Sequence, residues 1–218
     1  MTVTNHTALY RFNFPSNDSS TTYSPLILAD LTDLSDSRTN GSISVDEKTG
    51  RITGNGTFSP SFGIGVYTLH FCADFKGADL RDTGVFVNNR AGNSTKSVVT
   101  YVDGNNNPPY PAGAWARFQR PENDQIIARV GVSFFNTDQA CRNAESEIED
   151  FDFERVKKEA EEAWRIKLGV ISVDSTGVDK SLQRTFWSGI YRSFLSPQDY
   201  TGGFRLRSPL SRGGGHGS

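Results

Sequence analysis

The chain has 218 residues, and its 23 Lys and Arg nearly balance its 25 Asp and Glu, which gives a formal net charge of -2. This balance provides no strongly basic surface for nucleic acid. No apolar run reaches the roughly 18 residues of a membrane-spanning helix, and the opening MTVTNHTALY lacks the basic and apolar regions of an export signal. We therefore expect no nucleic-acid partner, no membrane span and no signal peptide.

Up to about residue 135, short alternating segments separated by turn residues predict a β-sandwich. In residues 125–135, Ile126, Ala128 and Val130 fall on one face of a strand, as expected for a half-buried sheet. A polar link ending at Gly50 predicts a hairpin with this glycine in the left-handed conformation. The other predicted strands span residues 26–31, 42–45, 51–58, 67–75, 85–87 and 98–102.

After residue 150 the apolar residues recur with the period of a helix. Asp152 stands in the capping position of one predicted helix, which continues to Leu168, and Gly169 stands in the stop position. Asp179 precedes a second helix that ends before Pro197. This second helix carries a wide apolar stripe made of Leu182, Phe186, Trp187, Ile190, Tyr191, Phe194 and Leu195. A stripe this wide predicts packing partners on more than one side.

Cys72 and Cys141 are the two cysteines of the chain, so it forms at most one disulfide; whether they pair is left open by their spacing. The acceptor pattern for N-linked glycans occurs at Asn5, Asn17, Asn40, Asn55 and Asn93. These five sites exceed the roughly two or three expected by chance and favour the secretory route. The same residue types are also common in turns, which is the alternative explanation.

The sequence contains one set of residue types typical of thiol catalysis, His70, Cys72 and Asp74 on one face of a strand. Residues two apart in a strand lie about 7 Å apart, too far for a nucleophile and its base, so we expect a structural role. An acidic cluster, Glu145, Glu147, Glu149 and Asp150, is expected to face solvent.

Four long strings of the sequence resemble glycoside hydrolase family 92, most closely its fungal members. They are ILADLTDL (27–34), DEKTGRITGNGTFSPSFGIGVYTLHFCADF (46–75), FDFERVKKEAEEAWR (151–165) and TFWSGIYRSFLSPQDYTG (185–202). The resemblance implies calcium-dependent, inverting exo-α-mannosidases of glycoprotein or mannan breakdown, N-glycans included, built from a supersandwich-like β domain and an (α/α)6 barrel. It implies secretion of the whole enzyme, with the cytosol left as an alternative for this chain.

The resemblance also implies a division of the chain. Residues 1–150 are expected to form a partial N-terminal β-sandwich domain, residues 151–178 a linker helix and a short strand, and residues 179–201 the first helix of a truncated barrel. The composition of residues 202–218, rich in glycine and arginine and poor in apolar residues, predicts a disordered tail. In the family, the catalytic carboxylates and calcium ligands lie mainly on the barrel. We therefore assign no catalytic, metal or cofactor-binding residue and expect an inactive N-terminal fragment whose native contact is the barrel.

Two alternatives remain at the level of the sequence. One is a non-catalytic carbohydrate-binding module, in which Trp115, Tyr101 and Tyr110 stack on mannose-containing glycans, weakly or not at all. The other is a structural remnant without function, in which Phe186, Trp187 and Phe194 are exposed and promote aggregation.

Overall fold

A computed structural model describes residues 1–15, 23–32, 36–60, 64–103 and 107–195. The elements within these residues are mainly strands, and the helices follow them. The strands are β1 (Thr2–Val3), β2 (Thr7–Asn13), β3 (Leu26–Asp30), β4 (Arg38–Val45), β5 (Ile52–Phe58), β6 (Tyr67–Lys76), β7 (Leu80–Val87), β8 (Arg90–Gly92), β9 (Ser97–Tyr101), β10 (Ala112–Phe118) and β11 (Gln125–Ser133), and the helices are α1 (Thr137–Glu147), α2 (Phe153–Leu168) and α3 (Lys180–Leu195).

The strands form two antiparallel sheets that pack face to face. The large sheet has the order β1-β2-β11-β6-β5-β4-β9, and the small sheet has the order β3-β10-β7-β8. Ile43 and Ile52 of the large sheet share a buried cluster with Val85 and Ala114 of the small sheet. The predicted β-sandwich fold class is therefore confirmed, with the apolar core between the two sheets.

The hairpin predicted around Gly50 is present between β4 and β5. Gly50 has φ 73°, and the Asp46 carboxylate accepts hydrogen bonds from the backbone N–H groups of Lys48 and Thr49 at 2.9 and 2.7 Å. Only glycine adopts this left-handed backbone without a steric penalty from Cβ. The sequence alone therefore predicted both the hairpin and the left-handed conformation of Gly50 correctly.

The large sheet differs from expectation on its outer face, which is covered by helices. Arg129, Gly131 and Ser133 alternate with the core-facing residues of β11 and are all buried. The cover comes from α1, a helix that the sequence analysis missed, which packs on β11 and β6, and from α2, which packs on β1 and β2. The buried side of α1 consists of Ala140, Asn143 and Ala144, which are too small or too polar to give a strong apolar stripe.

The two later helices have the predicted limits. The Asp152 carboxylate caps α2 by accepting a hydrogen bond from the Arg155 N–H at 3.0 Å, and Gly169 ends the helix with a right-handed backbone. The short strand expected between α2 and α3 is wrong, because residues 169–179 form turns and bends without a strand partner. The tail expected at residues 202–218 lies outside the described residues. No helix of the described residues has the length and apolar character to cross a membrane.

Candidate functional site

The outward face of the small sheet carries a shallow groove of about 550 Å³, here called the outer groove. It is lined by Leu26, Leu28, Phe86, Ala91, Gly92, Asn93, Trp115 and Arg117. Alternation along the strands creates this face, because Ala112, Ala114 and Ala116 of β10 are fully buried while Trp115 and Arg117 point outward. The small sheet is therefore apolar on both faces.

Two aromatic rings of the outer groove lie flat on glycines of the neighbouring strand. Trp115 pairs with Gly84, and Phe86 pairs with Gly113. A Cβ on Gly84 would come within 2.5 Å of the Trp115 ring, and a Cβ on Gly113 within 2.3 Å of the Phe86 ring. The glycines thus permit the rings to lie against the sheet, which leaves one flat side of each ring facing away from it.

An ion pair borders the aromatic surface. The Arg117 Nε donates to Asp82 Oδ1 at 2.7 Å, and a second Arg117 nitrogen donates to the other carboxylate oxygen. Hydrogen bonds from Arg117 hold the pKa of Asp82 below its ordinary value. The pair presents fixed polar groups beside an apolar face, a combination that suits a sugar ring.

A second cavity, the inter-sheet cleft, has a volume of about 670 Å³ and opens beside β3 between the two sheets. Its described lining is largely apolar and includes Tyr10, Phe12, Phe58 and Phe71, and among the described residues Asp30 is the one ionisable carboxyl group that lines it. Glycoside hydrolysis requires two carboxyl groups on opposite sides of the sugar. The described lining of the inter-sheet cleft does not provide that pair.

The residues with the types of a thiol-catalysis set do not form a catalytic site. Cys72 is bonded to Cys141 with an Sγ–Sγ distance of 2.15 Å, which joins β6 to α1. Asp74 accepts hydrogen bonds from Arg51 and Arg129, each at 2.6 Å, and burial lowers the pKa of His70. The thiol is consumed and the carboxylate is neutralised, so these residues have a structural role.

Arg129 connects the sheet to the end of α1. Its guanidinium binds the Asp74 carboxylate, donates to the backbone carbonyl of Ile148 and lies 4.5 Å from the centre of the Phe151 ring. The Arg129 side chain is only 8% exposed, so this ion pair is buried, and removal of either partner would leave an uncompensated charge. No local pattern predicts this network, because its members lie far apart along the chain.

The expectation that the whole acidic cluster faces solvent is wrong for Glu147. Its side chain is 18% exposed and forms an ion pair of 2.7 Å with His6 Nδ1. The Glu147 carboxylate also accepts hydrogen bonds from the Thr4 hydroxyl and the His6 backbone N–H, at 2.5 and 2.9 Å. Burial acts to raise the pKa of Glu147, but these hydrogen bonds outweigh it and hold the pKa below its ordinary value. The remaining members, Glu145, Glu149 and Asp150, are exposed.

These pairings determine what the carboxylates can do chemically. A general acid in glycoside hydrolysis needs a raised pKa so that it stays protonated near neutral pH. The pKa of Asp150 is instead lowered to about 2 by hydrogen bonds from Arg155, and those of Asp82 and Glu147 are also lowered. These three groups therefore remain ionised and do not serve as the proton donor.

The acidic groups also do not fit a calcium site. Calcium needs six to eight oxygen ligands. Asp74, Asp82 and Glu147 each give their oxygens to Arg or His partners. Within residues 1–15, 23–32, 36–60, 64–103 and 107–195, no group of three or more His, Cys, Asp or Glu side chains is placed to hold a metal ion.

The glycan acceptors lie in different environments. Asn5 and Asn93 lie in exposed bends, and Asn40 is exposed on β4. Asn55 lies in the centre of the large sheet, where its Nδ2 donates to Ser42 Oγ at 2.8 Å. Asn17 lies outside the described residues.

The aromatic residues proposed for sugar binding are not all brought together. Trp115 lines the outer groove on the small sheet, whereas Tyr101 lies in β9 at the edge of the large sheet. Tyr110 is 47% exposed and precedes β10. A carbohydrate-binding site made of all three residues is therefore not formed, and binding of free mannose-type glycans stays a prediction.

The apolar surface of α3, here called the α3 stripe, is largely open to solvent; it consists of Leu182, Phe186, Trp187, Ile190, Tyr191, Phe194 and Leu195. No residue of α3 is buried, and Leu182 and Phe186 are 61% and 40% exposed. The contact with α2 includes Tyr191, whose ring centre lies 4.6 Å from that of Trp164. Helix α3 therefore presents apolar surface that the rest of the described residues does not cover.

Two family models match this chain, the first over the strands and the second over the helices. Residues 1–133, which contain both sheets, match the glycosyl hydrolase family 92 N-terminal domain. The chain belongs to glycosyl hydrolase family 92. Residues 139–207 match the family 92 catalytic domain. The two matches therefore meet near the start of α1, whereas the predicted domain boundary lies at residue 150. The resemblance drawn from the sequence strings is confirmed.

A curated relative extends the family 92 assignment. The chain is 53% identical over 207 residues to an uncharacterized secreted glycosidase of Arthroderma benhamiae. This match covers 93% of the chain and 27% of the relative. The chain thus spans about a quarter of the length of that relative.

Solved family 92 structures share the fold. The GH92 family glycosyl hydrolase ccman5 matches with a TM-score of 0.71 and 22% identity, and an inverting GH92 mannosidase of Bacteroides thetaiotaomicron matches with a TM-score of 0.68 and 20% identity. Each match covers 90% of this chain and 24% of the other. At this identity the comparison supports the arrangement of sheets and helices.

Proposed function

We propose that this chain forms the N-terminal lobe of a secreted family 92 exo-α-mannosidase that inverts the anomeric centre, uses calcium and acts on mannose-containing glycans such as N-glycans or mannan. One observation carries the proposal. The sequence passes from the N-terminal domain match into the catalytic domain match without a break and stays 53% identical to a secreted glycosidase across that join. The mannosidase assignment is supported by the names of the structural neighbours.

The residues of this lobe support a scaffold role. The disulfide between Cys72 and Cys141, the Arg129 network and the His6–Glu147 pair all fix α1 on the large sheet. Helix α2 then follows α1 and packs Phe153 and Val156 against Leu9 of β2. We propose that this series of contacts sets the position from which α3 enters the catalytic domain.

The exposed α3 stripe supports the same proposal. Apolar side chains of this number are normally buried, because each leaves water at a gain of about 1.5–3 kcal/mol. We propose that further helices of the catalytic domain cover the stripe. The lobe by itself provides no general acid among the carboxylates described above, so we propose that the isolated chain does not hydrolyse mannosides.

Two assays test the proposal. The purified chain is incubated with an α-1,2-linked mannobiose, with calcium and with a chelator, and release of mannose is measured. We expect no release in either sample, and clear turnover by the chain would contradict the proposed inactivity.

The second assay tests the mannosidase assignment itself. In a chimera, this chain replaces the matching 207 residues of the Arthroderma relative, and the anomer released from an α-mannoside is identified by proton NMR. We expect β-mannose, lost on chelation of calcium and restored when calcium is added back. A folded, monodisperse chimera that hydrolyses another glycoside but no mannoside would refute the assignment, and the unaltered relative is the matched control.

A further inference from the structure

We infer that Asn93 carries an N-linked glycan and that the first sugar of this glycan covers the outer groove. The inference rests on the proposed secretory route and is independent of which glycoside the whole enzyme hydrolyses. It concerns a covalent modification on the sandwich lobe, remote from the α3 stripe.

Among the acceptors in the described residues, Asn93 has the most favourable local structure. Asn93, Ser94 and Thr95 are all exposed and follow the end of β8 in a bend. The other described acceptors differ. Asn55 is hydrogen-bonded inside the large sheet, Asn40 pairs with Tyr101 within the sheet, and Thr7, the hydroxyl residue of the Asn5 acceptor, is 4% exposed. A glycan on Asn93 needs no change in the backbone.

The position of Asn93 directs its glycan to the outer groove. Asn93 is itself part of the groove lining, together with Phe86 and Trp115. The volume of about 550 Å³ lies within the range of pockets for small ligands. The first sugar is joined directly to the Asn93 side chain, so it is held beside these rings.

The groove chemistry matches the two sides of an N-acetylglucosamine ring. The C–H side of the sugar packs on the flat rings of Trp115 and Phe86, as aromatic side chains accept apolar surfaces. The hydroxyl and acetamido groups face Arg117, whose pairing with Asp82 fixes it in place. Contact with a single free sugar is weak, but covalent attachment gives it an effective concentration in the millimolar range.

The outer groove also exposes apolar side chains that an attached glycan would cover. Leu26 and Leu28 are 48% and 49% exposed on the outer face, next to the Trp115 ring. Patches of this kind on soluble proteins are usually functional or covered. A polar glycan that turns its apolar side to these residues replaces exposed hydrocarbon with a solvated surface.

The covalent step is a glycosyl transfer with a named co-reactant, a lipid pyrophosphate-linked oligosaccharide. The Asn93 Nδ2 forms a bond to the anomeric carbon of the first sugar and loses one proton. The bond from that carbon to the pyrophosphate oxygen breaks, and the lipid pyrophosphate leaves with the electron pair. No oxidant or reductant is involved.

Occupancy is tested first. The full chain is secreted from yeast behind a cleavable leader, and glycopeptides are analysed by mass spectrometry. We expect modification of Asn93 in most molecules. A folded, secreted chain with unmodified Asn93 would overturn the inference, whatever the activity of the family 92 enzyme.

The covering of the groove by the glycan is tested by comparing four proteins: the intact glycoform, a form trimmed to the single attached sugar, and the two unglycosylated variants Asn93→Gln and Thr95→Ala. We expect the intact and trimmed forms to melt together. Both variants should melt roughly 2–4 °C lower and bind more of a dye specific for apolar surface. Asn5→Gln is the control, with no change in dye binding.

A double-mutant comparison assigns the effect to the groove. In a Trp115→Ala background, removal of the Asn93 glycan should no longer change dye binding or the melting temperature. Leu28→Ser is the second variant if Trp115→Ala does not fold. If the glycosylated protein and the variants Asn93→Gln and Thr95→Ala have equal melting temperatures and bind equal amounts of dye, the inference that the glycan covers the outer groove is refuted.

Discussion

Removal of the Cys72–Cys141 disulfide is the perturbation whose effect the structure defines best. The bond closes a loop with a sequence separation of 69 residues and joins α1 to β6. In the chain-entropy description, a loop of this length contributes about 4 kcal/mol by restricting the unfolded chain. We expect the double variant C72A/C141A to lose this amount of unfolding free energy, which corresponds to roughly 8–16 °C in melting temperature for a chain of this size.

The assay is urea unfolding of the oxidised protein, the reduced protein and the double variant, followed by circular dichroism. The reduced protein and the double variant should unfold together, and reducing agent should have no effect on the double variant. A loss below about 1 kcal/mol would show that the unfolded chain is not restricted as argued. A cooperative transition in the oxidised protein would also contradict the structural-remnant alternative.

Two other perturbations test how α1 is held on the sheet. A Cβ on Gly131 would lie 2.2 Å from the backbone oxygen of Ala140, so Gly131→Ala should cost about 1–3 kcal/mol in urea unfolding, whereas Gly92→Ala, with nothing within 4 Å, should be neutral. Because the folded pKa of Glu147 is depressed, its stabilising effect is present above the unfolded pKa of about 4.3 and is lost as the pH falls through the folded value. Urea midpoints between pH 6 and 3 should therefore fall more steeply for the wild type than for Glu147→Gln, and equal slopes would show that the pairing with His6 is not made.

Local sequence patterns were sufficient to predict α2 and the β4–β5 turn correctly. Asp152 and Gly169 define the limits of α2, and Gly50 defines the β4–β5 turn, because caps and turns depend on residues close together in the chain. Helix α1 was missed, although Asn136 caps it by accepting from the Gln139 N–H at 2.7 Å. The sequence pattern that could have predicted α1 is Asn136 followed three residues later by Gln139, which is typical of a helix N-terminus.

The sequence predicted less of the candidate site than of the fold. Trp115 was noted as a sugar-stacking residue, but its partner in the sheet, Gly84, lies 31 positions away and has no side chain to mark its role. Glu147 was assigned to solvent because its neighbours along the chain are acidic. Its actual partner, His6, is 141 positions away and comes next to it only after the sheet and α1 have packed.

The sequence by itself determined the alternation in the predicted strands, the limits of α2 and α3, and the membership of family 92, since these are carried by local pattern and by long strings of residues. Tertiary structure alone decided that Asp74 and Glu147 are neutralised by basic partners, that Cys72 meets Cys141, and that Asn93 borders an aromatic groove. The physical reason is that antiparallel pairing brings distant segments into register, and burial then sets the charge and exposure of each side chain.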